Sequence, residues 1–131
     1  MQQNQSLEIT KVVLDAMGGD YAPAEPVKGA VDAVNARRDI KILLVGQEDV
    51  VRKELEKYTY PTEQIEVIHA EEVIETAEPP VNAIRKKKQS SIVVGMNMVK
   101  QQEADAFVSA GSSGAILVGG QVIVGRINGI E

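Results

Sequence analysis

The sequence predicts an α/β fold in which helices cover both sides of a mostly parallel sheet. Short, almost unbroken apolar runs alternate along the chain with segments whose apolar residues recur at helical spacing. Turns that carry glycine follow two of these runs, and the second of these turns also carries serine. Unbroken apolar runs are typical of parallel strands buried on both faces. Their alternation with helical segments favours a layered α/β/α arrangement.

Strands are predicted where the apolar runs occur, at 11–15, 41–45, 65–68 and 104–108. Ligands of open parallel sheets gather beyond the carboxyl ends of the strands. We therefore expect the segments that follow the strands, 15–20, His69 and 109–114, to share one edge of the sheet. The order of the strands cannot be read from the sequence.

Helices are predicted between the strands. Pro23 and Pro26 suit a first helical turn, and the face that follows them consists of Val27, Ala30, Val31 and Val34. Further helices are predicted at 47–58, at 81–87 and from about Ser90 to 102, where Ser90 and Ser91 would cap the helix. A last helix, starting near Ser113, is apolar nearly all round and needs cover on every side.

The composition narrows the classes of function. The chain has 131 residues, of which 44% are hydrophobic, so it can form one core but hardly two. A net charge of -5 argues against general binding to nucleic acid or to a membrane surface. The absence of cysteine excludes disulfides, thiol nucleophiles and cysteine-based zinc sites. Residues 1–10 are predicted to be a flexible tail and 11–131 to form one α/β unit.

The two glycine-bearing turns are the strongest chemical signal. Asp15-Ala16-Met17-Gly18-Gly19-Asp20 follows the first strand, and 109–115, Ser-Ala-Gly-Ser-Ser-Gly-Ala, follows the last. A strand that leads through such a turn into a helix directs backbone N–H groups at one point, which suits an anion. The alternative is that both turns need glycine only for their backbone angles. Asp15 and Asp20 could hold a metal or orient a ligand, and Asp20 could equally cap a helix.

Other candidate groups lie outside the turns. His69, the sole histidine, follows a strand at the ligand edge and could serve as acid, base or phosphate donor, although a lone histidine is more often structural. The basic cluster, residues 85–88 (Arg-Lys-Lys-Lys), is either a solvated helix end or, with Ser90 and Ser91, a grip for phosphate. It could also dock an acidic protein partner. The glutamates of 70–80 are predicted to form a solvated acidic loop.

These motifs resemble, in order, those of the bacterial phosphate acyltransferases of phospholipid synthesis. The resemblance rests on 15–20 with Ala22-Pro23, on Pro80-Val81 with the basic cluster and Ser90-Ser91, and on 105–111 leading to Gly114-Ala115. The closing segment 125–131 fits as well. The chain departs from the family pattern at Ser112-Ser113, where relatives often have Asn-Thr, and hydroxyl donors remain there.

The resemblance implies transfer of a fatty acyl group from acyl carrier protein to inorganic phosphate, giving acyl phosphate for phospholipid synthesis. It further implies a homodimer with the fold of phosphate acetyltransferases and isopropylmalate-type dehydrogenases, and no metal or redox cofactor. It also implies a cytoplasmic location, with peripheral membrane contact through regions outside this chain. Because members of the family are much longer, we expect this chain to be an amino-terminal portion that is inactive alone.

Combined with the motifs, this resemblance yields a set of candidate site residues. The catalytic candidates are His69, Lys88 and Asp15. The candidates for binding phosphate or substrate lie in the same motifs, and they are Gly18, Gly19, Asp20, Arg85, Lys87, Ser90, Ser91, Ser109, Gly111, Ser112, Ser113 and Gly114. Two alternative functions stay open: a coenzyme A-dependent phosphate acetyl- or butyryltransferase, which the hexapeptide at 15–20 favours less, and a non-catalytic anion-binding module.

Overall fold

A computed structural model describes residues 8–75 and 78–111 of the chain, together with Ala115. The strands and helices follow each other in the predicted alternation. In chain order they are β1 (Thr10–Asp15), α1 (Ala24–Ala36), β2 (Ile40–Gly46), α2 (Glu48–Leu55), a 3₁₀ turn (Thr62–Gln64), β3 (Ile65–His69), α3 (Pro80–Lys86), α4 (Ser91–Lys100) and β4 (Ala106–Val108). No helix in this described part is both long and apolar enough to cross a bilayer.

The described strands form one sheet in the order β3-β2-β1-β4, and every neighbouring pair is parallel. The predicted α/β fold class is thereby confirmed. The chain moves outward from β1 to β2 and β3, then returns across the sheet to place β4 on the other side of β1. The carboxyl ends of β1 and β4 therefore flank a topological switch point, where open α/β sheets bind their ligands.

Helices cover both faces of the sheet. On one face α1 and α2 bury Val27, Val31 and Val51 against Leu44 of β2. On the other face lies α4, which packs against β1, β2 and β4. Because successive side chains of a strand point to opposite faces, a strand covered on both sides needs apolar residues at nearly every position. This requirement explains the unbroken apolar runs of the sequence.

Two helix ends differ from the predicted bounds. The helix predicted to reach residue 58 ends at Leu55, because the N–H groups of Lys57 and Tyr58 turn to carbonyls only three residues earlier. Tyr58 still packs against the core, which is why the apolar pattern continued through it. α4 ends at Lys100, and Gln102 takes a left-handed φ of 64° that no α-helix can continue.

The start of α4 and the end of the described chain agree with the sequence. Ser90 caps α4 as predicted, its Oγ accepting a hydrogen bond of 3.2 Å from the N–H of Val93. Ala115 is helical and fully buried, and it belongs to a cluster with Ile84 and Ile92. The rest of the apolar helix predicted from Ser113 lies outside the described residues, as does most of the tail predicted at 1–10.

α4 lies unusually close to the sheet, and a glycine makes this approach feasible. A Cβ added to Gly95 would lie 2.5 Å from Cε1 of Phe107 and 3.0 Å from Cγ1 of Val13. On α1, by contrast, a Cβ added to Gly29 would meet nothing within 4 Å. Close packing therefore requires glycine at position 95 but not at position 29.

We predict that Gly95→Ala destabilises the protein by about 1–3 kcal/mol, since the added methyl overpacks the contact between α4 and β4. The matched change Gly29→Ala should stabilise it by about 0.5–1 kcal/mol, because alanine favours a helix and the site is open. Urea denaturation of both variants measures the two effects. Equal effects in the two variants would contradict the packing that we describe.

Candidate functional site

The two glycine-bearing turns meet beyond the ends of β1 and β4. Asp15, the last residue of β1, is only 2% exposed, and its Oδ2 accepts a hydrogen bond of 2.8 Å from Oγ of Ser109. The other carboxylate oxygen accepts the N–H of Met17 at 2.9 Å. The Oγ of Ser109 in turn accepts the N–H of Gly111 at 2.9 Å. One buried carboxylate thus joins two turns that lie 94 residues apart in the chain.

Glycine is required where these turns touch. A Cβ on Gly18 would lie 2.7 Å from Oδ2 of Asp15 and 2.8 Å from both Oγ of Ser109 and N of Gly111. Gly19 has a φ of +93°, which side chains rarely adopt. The backbone of the first turn therefore lies directly against the hydrogen bond between Asp15 and Ser109. The steric explanation for Gly18 and Gly19 and the ligand-binding explanation therefore concern the same backbone atoms.

A cavity of about 340 Å³ opens between the turns and the start of α1. Its size is at the low end of small-molecule sites. Three of its lining side chains are carboxylates, Asp15, Asp20 and Glu25, and none is cationic. The rest of the lining is glycine, serine, tyrosine and apolar residues. Sequence reasoning missed Tyr21 and Glu25. They follow the first turn directly, and they line a cavity because β4 lies beside β1 and supplies its other wall.

Three of the predicted binding residues, Ser112, Ser113 and Gly114, lie outside the described residues. Gly111 immediately precedes them, and its N–H is engaged by Ser109. Within the described ranges no three histidine, aspartate or glutamate side chains converge as metal ligands would.

The basic cluster divides into one engaged residue and three exposed ones. Nζ of Lys87 donates to Oε2 of Glu78 at 2.6 Å and to the carbonyl of Val73 at 2.7 Å. The side chains of the other members are exposed, and the ion pairs among the described residues do not include them. They are Arg85, Lys86 and Lys88. Lys87 thus stabilises the loop that precedes α3, whereas the three exposed side chains can contact an anion.

Two glutamates of the acidic segment, Glu72 and Glu78, make specific contacts and so differ from the predicted solvated loop, whereas Glu71 and Glu75 are exposed as predicted. Glu72 accepts the N–H of Gln89 on its Oε1 at 3.0 Å, and its carbonyl accepts the N–H of Ser91. Lys87 holds Glu78 at the far end of the loop. Opposite charges on 71–78 and 85–88 were visible in the sequence, but their spacing did not show which of them would pair.

Ser90 and Ser91 are almost wholly buried, at 0% and 2% exposure. Ser90 serves as the cap of α4, and its own N–H donates to the carbonyl of Lys87. The described contacts therefore give Ser90 a structural task at the start of the helix. That the pair also contacts phosphate stays a prediction.

His69 lies on the edge strand β3, so β2 separates it from β1. Two inter-strand spacings amount to about 10 Å. The exposed imidazole accepts the N–H of Glu48 on Nδ1 at 3.2 Å and so caps α2. With Nδ1 accepting, the neutral ring carries its proton on Nε2, which can then donate to an anion. His69 shares the predicted edge with the turns but not their immediate contacts.

Fold and site together define a class: a parallel α/β protein whose candidate ligand site is built from two glycine-bearing turns at the switch point of the sheet. The model of one family, described as fatty acid synthesis protein, matches residues 10–131. The chain belongs to that family.

Relatives of the chain are named phosphate acyltransferases. The chain is 54% identical over 121 residues to a phosphate acyltransferase from Alkaliphilus oremlandii, and 51% identical to one from Clostridium beijerinckii. It is 46% identical to one from Clostridioides difficile. Each match includes 92% of this chain but only 35–36% of the relative. The chain thus spans about a third of the length of the relatives that it matches.

We predict energetic coupling across the joint between the turns, by which we mean the hydrogen bond between Asp15 and Ser109. Asp15→Ala and Ser109→Ala should each cost about 1–3 kcal/mol, because each leaves a buried polar group without its partner. The double variant should cost clearly less than the sum. Urea denaturation measures all the variants. A control pair, Ser109→Ala with Asp32→Ala on the exposed side of α1, should be additive. An additive result for Asp15 as well would show that the hydrogen bond contributes nothing.

We also predict that the contact between Glu78 and Lys87 weakens in acid. The ammonium of Lys87, followed by the N–H of Glu75, lowers the pKa of the Glu78 carboxyl below its ordinary value. Its contribution is therefore present above the unfolded pKa, about 4.3, and is lost as pH falls through the lower folded value. The wild-type advantage over Glu78→Gln should be constant from pH 7 to 5 and shrink below pH 4.

Urea midpoints at each pH test this prediction, with Glu56→Gln as the control. Glu56 is exposed and belongs to none of the ion pairs of the described chain. A wild-type advantage over Glu78→Gln that persists unchanged at pH 3 would contradict the assigned contact.

Proposed function

We propose that the full-length protein transfers a fatty acyl group from acyl carrier protein to inorganic phosphate, releasing acyl phosphate for phospholipid synthesis. The observation that carries the proposal is the joint of the two turns at the switch point, in a chain whose relatives are named phosphate acyltransferase. The resemblance of the motifs supports the choice of carrier protein and phosphate as substrates. It also supports a homodimer that works in the cytoplasm with peripheral contact to the membrane.

The reaction requires a phosphate oxygen to attack the thioester carbonyl carbon. A tetrahedral oxyanion forms, and it collapses as the carbon–sulfur bond breaks. The departing sulfur takes up the proton that hydrogen phosphate brought, so the carrier thiol and acyl phosphate are released. No covalent bond to the enzyme is needed. The protein must therefore hold two substrates in line and stabilise a developing negative charge, tasks for which oriented N–H groups are suited.

The charges around the cavity favour one placement of the two substrates. Asp15, Asp20 and Glu25 line the cavity, so a phosphate dianion is disfavoured inside it, whereas a neutral thioester is not. We assign phosphate to the mouth of the cavity, beside the point where Gly111 leads into Ser112-Ser113-Gly114 and the predicted helix start, so that its oxygen can reach the carbonyl carbon. In this assignment Asp15 is a positioning residue that fixes Ser109. His69 lies on β3, three strand spacings from β4, and is not assigned to this anion.

The three exposed cations of the basic cluster are assigned to the acidic substrates. Arg85, Lys86 and Lys88 stand out in a chain of net charge -5. Lys87 holds them in place through its contacts with Glu78 and Val73. Complementary charge of this kind guides and orients a protein partner more than it tightens binding.

The decisive experiment incubates a chain extended to the length of its relatives with phosphate and an acyl thioester, and traps acyl phosphate with hydroxylamine. We expect acyl hydroxamate with the acyl carrier protein thioester and little with the coenzyme A thioester. Equal use of acetyl- or butyryl-coenzyme A would establish the coenzyme A-dependent alternative. Binding of phosphate without any hydroxamate would establish the anion-binding module instead.

We predict that Lys88→Gln raises the KM for the carrier thioester about two- to fivefold at low salt, because an exposed charge contact is worth at most about 1 kcal/mol. The effect should shrink at physiological ionic strength, where charges are screened over about 8 Å. Lys53→Gln, an exposed lysine on α2, is the matched control and should leave KM unchanged. Equal KM values for Lys88→Gln and Lys53→Gln at low salt would assign the basic cluster to a solvated surface.

A further inference from the structure

A second cavity, of about 310 Å³, continues from the first along α1, away from the turns. Leu14 of β1, Pro26 of α1 and Val108 of β4 line both cavities. The two spaces therefore meet at these three side chains and form one groove between α1 and the strands.

The lining of this second cavity differs sharply from that of the first. None of its lining residues is polar or charged. Val12 and Leu14, two positions apart on β1, present the same face of the sheet to it. Ala30 and Ala33 close the opposite side from α1. The carboxylates thus lie in the part of the groove at the strand ends, and the part beside the middle of β1 is lined by apolar residues alone.

The groove also lies where the described chain leaves apolar surface uncovered. Val108 is 51% exposed, although it is the register partner of Leu14 in the sheet. Gly29 leaves the groove wide on the α1 side, since a Cβ there would meet nothing within 4 Å. An exposed apolar surface joined to a polar site suits an amphiphile whose reacting end is polar.

We propose that this groove holds the hydrocarbon chain of the acyl substrate. The thioester carbonyl lies in the first cavity, beside Gly18 and Ser109, and the chain extends past Leu14 toward Val12. The neutral carbonyl is compatible with the three carboxylates, and the oxyanion that forms from it is assigned to backbone N–H groups of the two turns. The hydrocarbon chain meets only apolar side chains. This inference rests on the proposed function, and it adds the residues that select the length of the acyl chain: Leu14, Pro26, Gly29, Ala33 and Val108.

The test uses the chain extended to the length of its relatives. Gly29→Leu should shorten the groove without a clash, because its side chain enters open space. We expect kcat/KM for a hexadecanoyl thioester to fall about tenfold or more, the range over which apolar pockets discriminate chain size. The value for a butanoyl thioester and the KM for phosphate should stay within twofold. Lys28→Leu adds the same side chain to α1 at an exposed position outside both cavities and should change neither value.

Each other outcome overturns the proposal. Equal losses for both thioesters, or no loss, would show that the hydrocarbon chain lies elsewhere. A marked fall in the melting temperature of Gly29→Leu would show that another segment of the protein already fills the groove. The proposed function is judged separately by the wild type. If it forms acyl phosphate while Gly29→Leu fails to discriminate, only the groove assignment falls.

Discussion

The hydrogen bond between Asp15 and Ser109 is the contact on which the candidate site depends. It ties the end of β1 to the end of β4, and the same carboxylate fixes the turn through the N–H of Met17. Glycine at 18 is a consequence of that bond, since any side chain there would occupy the space of the two bonded oxygens. A buried carboxylate that lost these partners would be strongly disfavoured. The two turns are therefore held as one unit.

The distribution of charge around that unit separates two kinds of surface. Carboxylates gather at the cavity next to α1, and the three exposed cations lie on α3 and just after it. The loop that links β3 to α3 is tied down by its own ion pair and by Glu72. The net charge of the chain conceals this division, which becomes visible only when the elements are placed in space. The proposed placement of a neutral and an anionic substrate depends on this division.

The sequence predicted the fold class and most elements because burial on both faces of a parallel sheet leaves a strong pattern. Val12, Val13 and Leu14 could be assigned to a strand for that reason alone. The cap at Ser90 followed from local chemistry. Strand order did not, because β4 joins β1 through contacts between residues about 94 positions apart. For the same reason the contact of Asp15 with Ser109 could not be predicted from spacing. Glu78 and Lys87 are only nine residues apart, but several opposite charges lie nearby and the path of the chain decides which of them meet.

The position of β4 has a consequence for the order in which the protein acquires its site. β1 to β3 are joined by short βαβ connections, so most of their pairing is local and can form early. The cavity, however, closes only when β4 docks beside β1. Closing so long a loop costs chain entropy before any contact offsets it. During synthesis from the amino terminus, residues 15–20 must therefore wait for nearly a hundred further residues before they become a binding site. Until then the exposed edge of β1 is the surface that a nascent chain has to keep from pairing with a wrong strand.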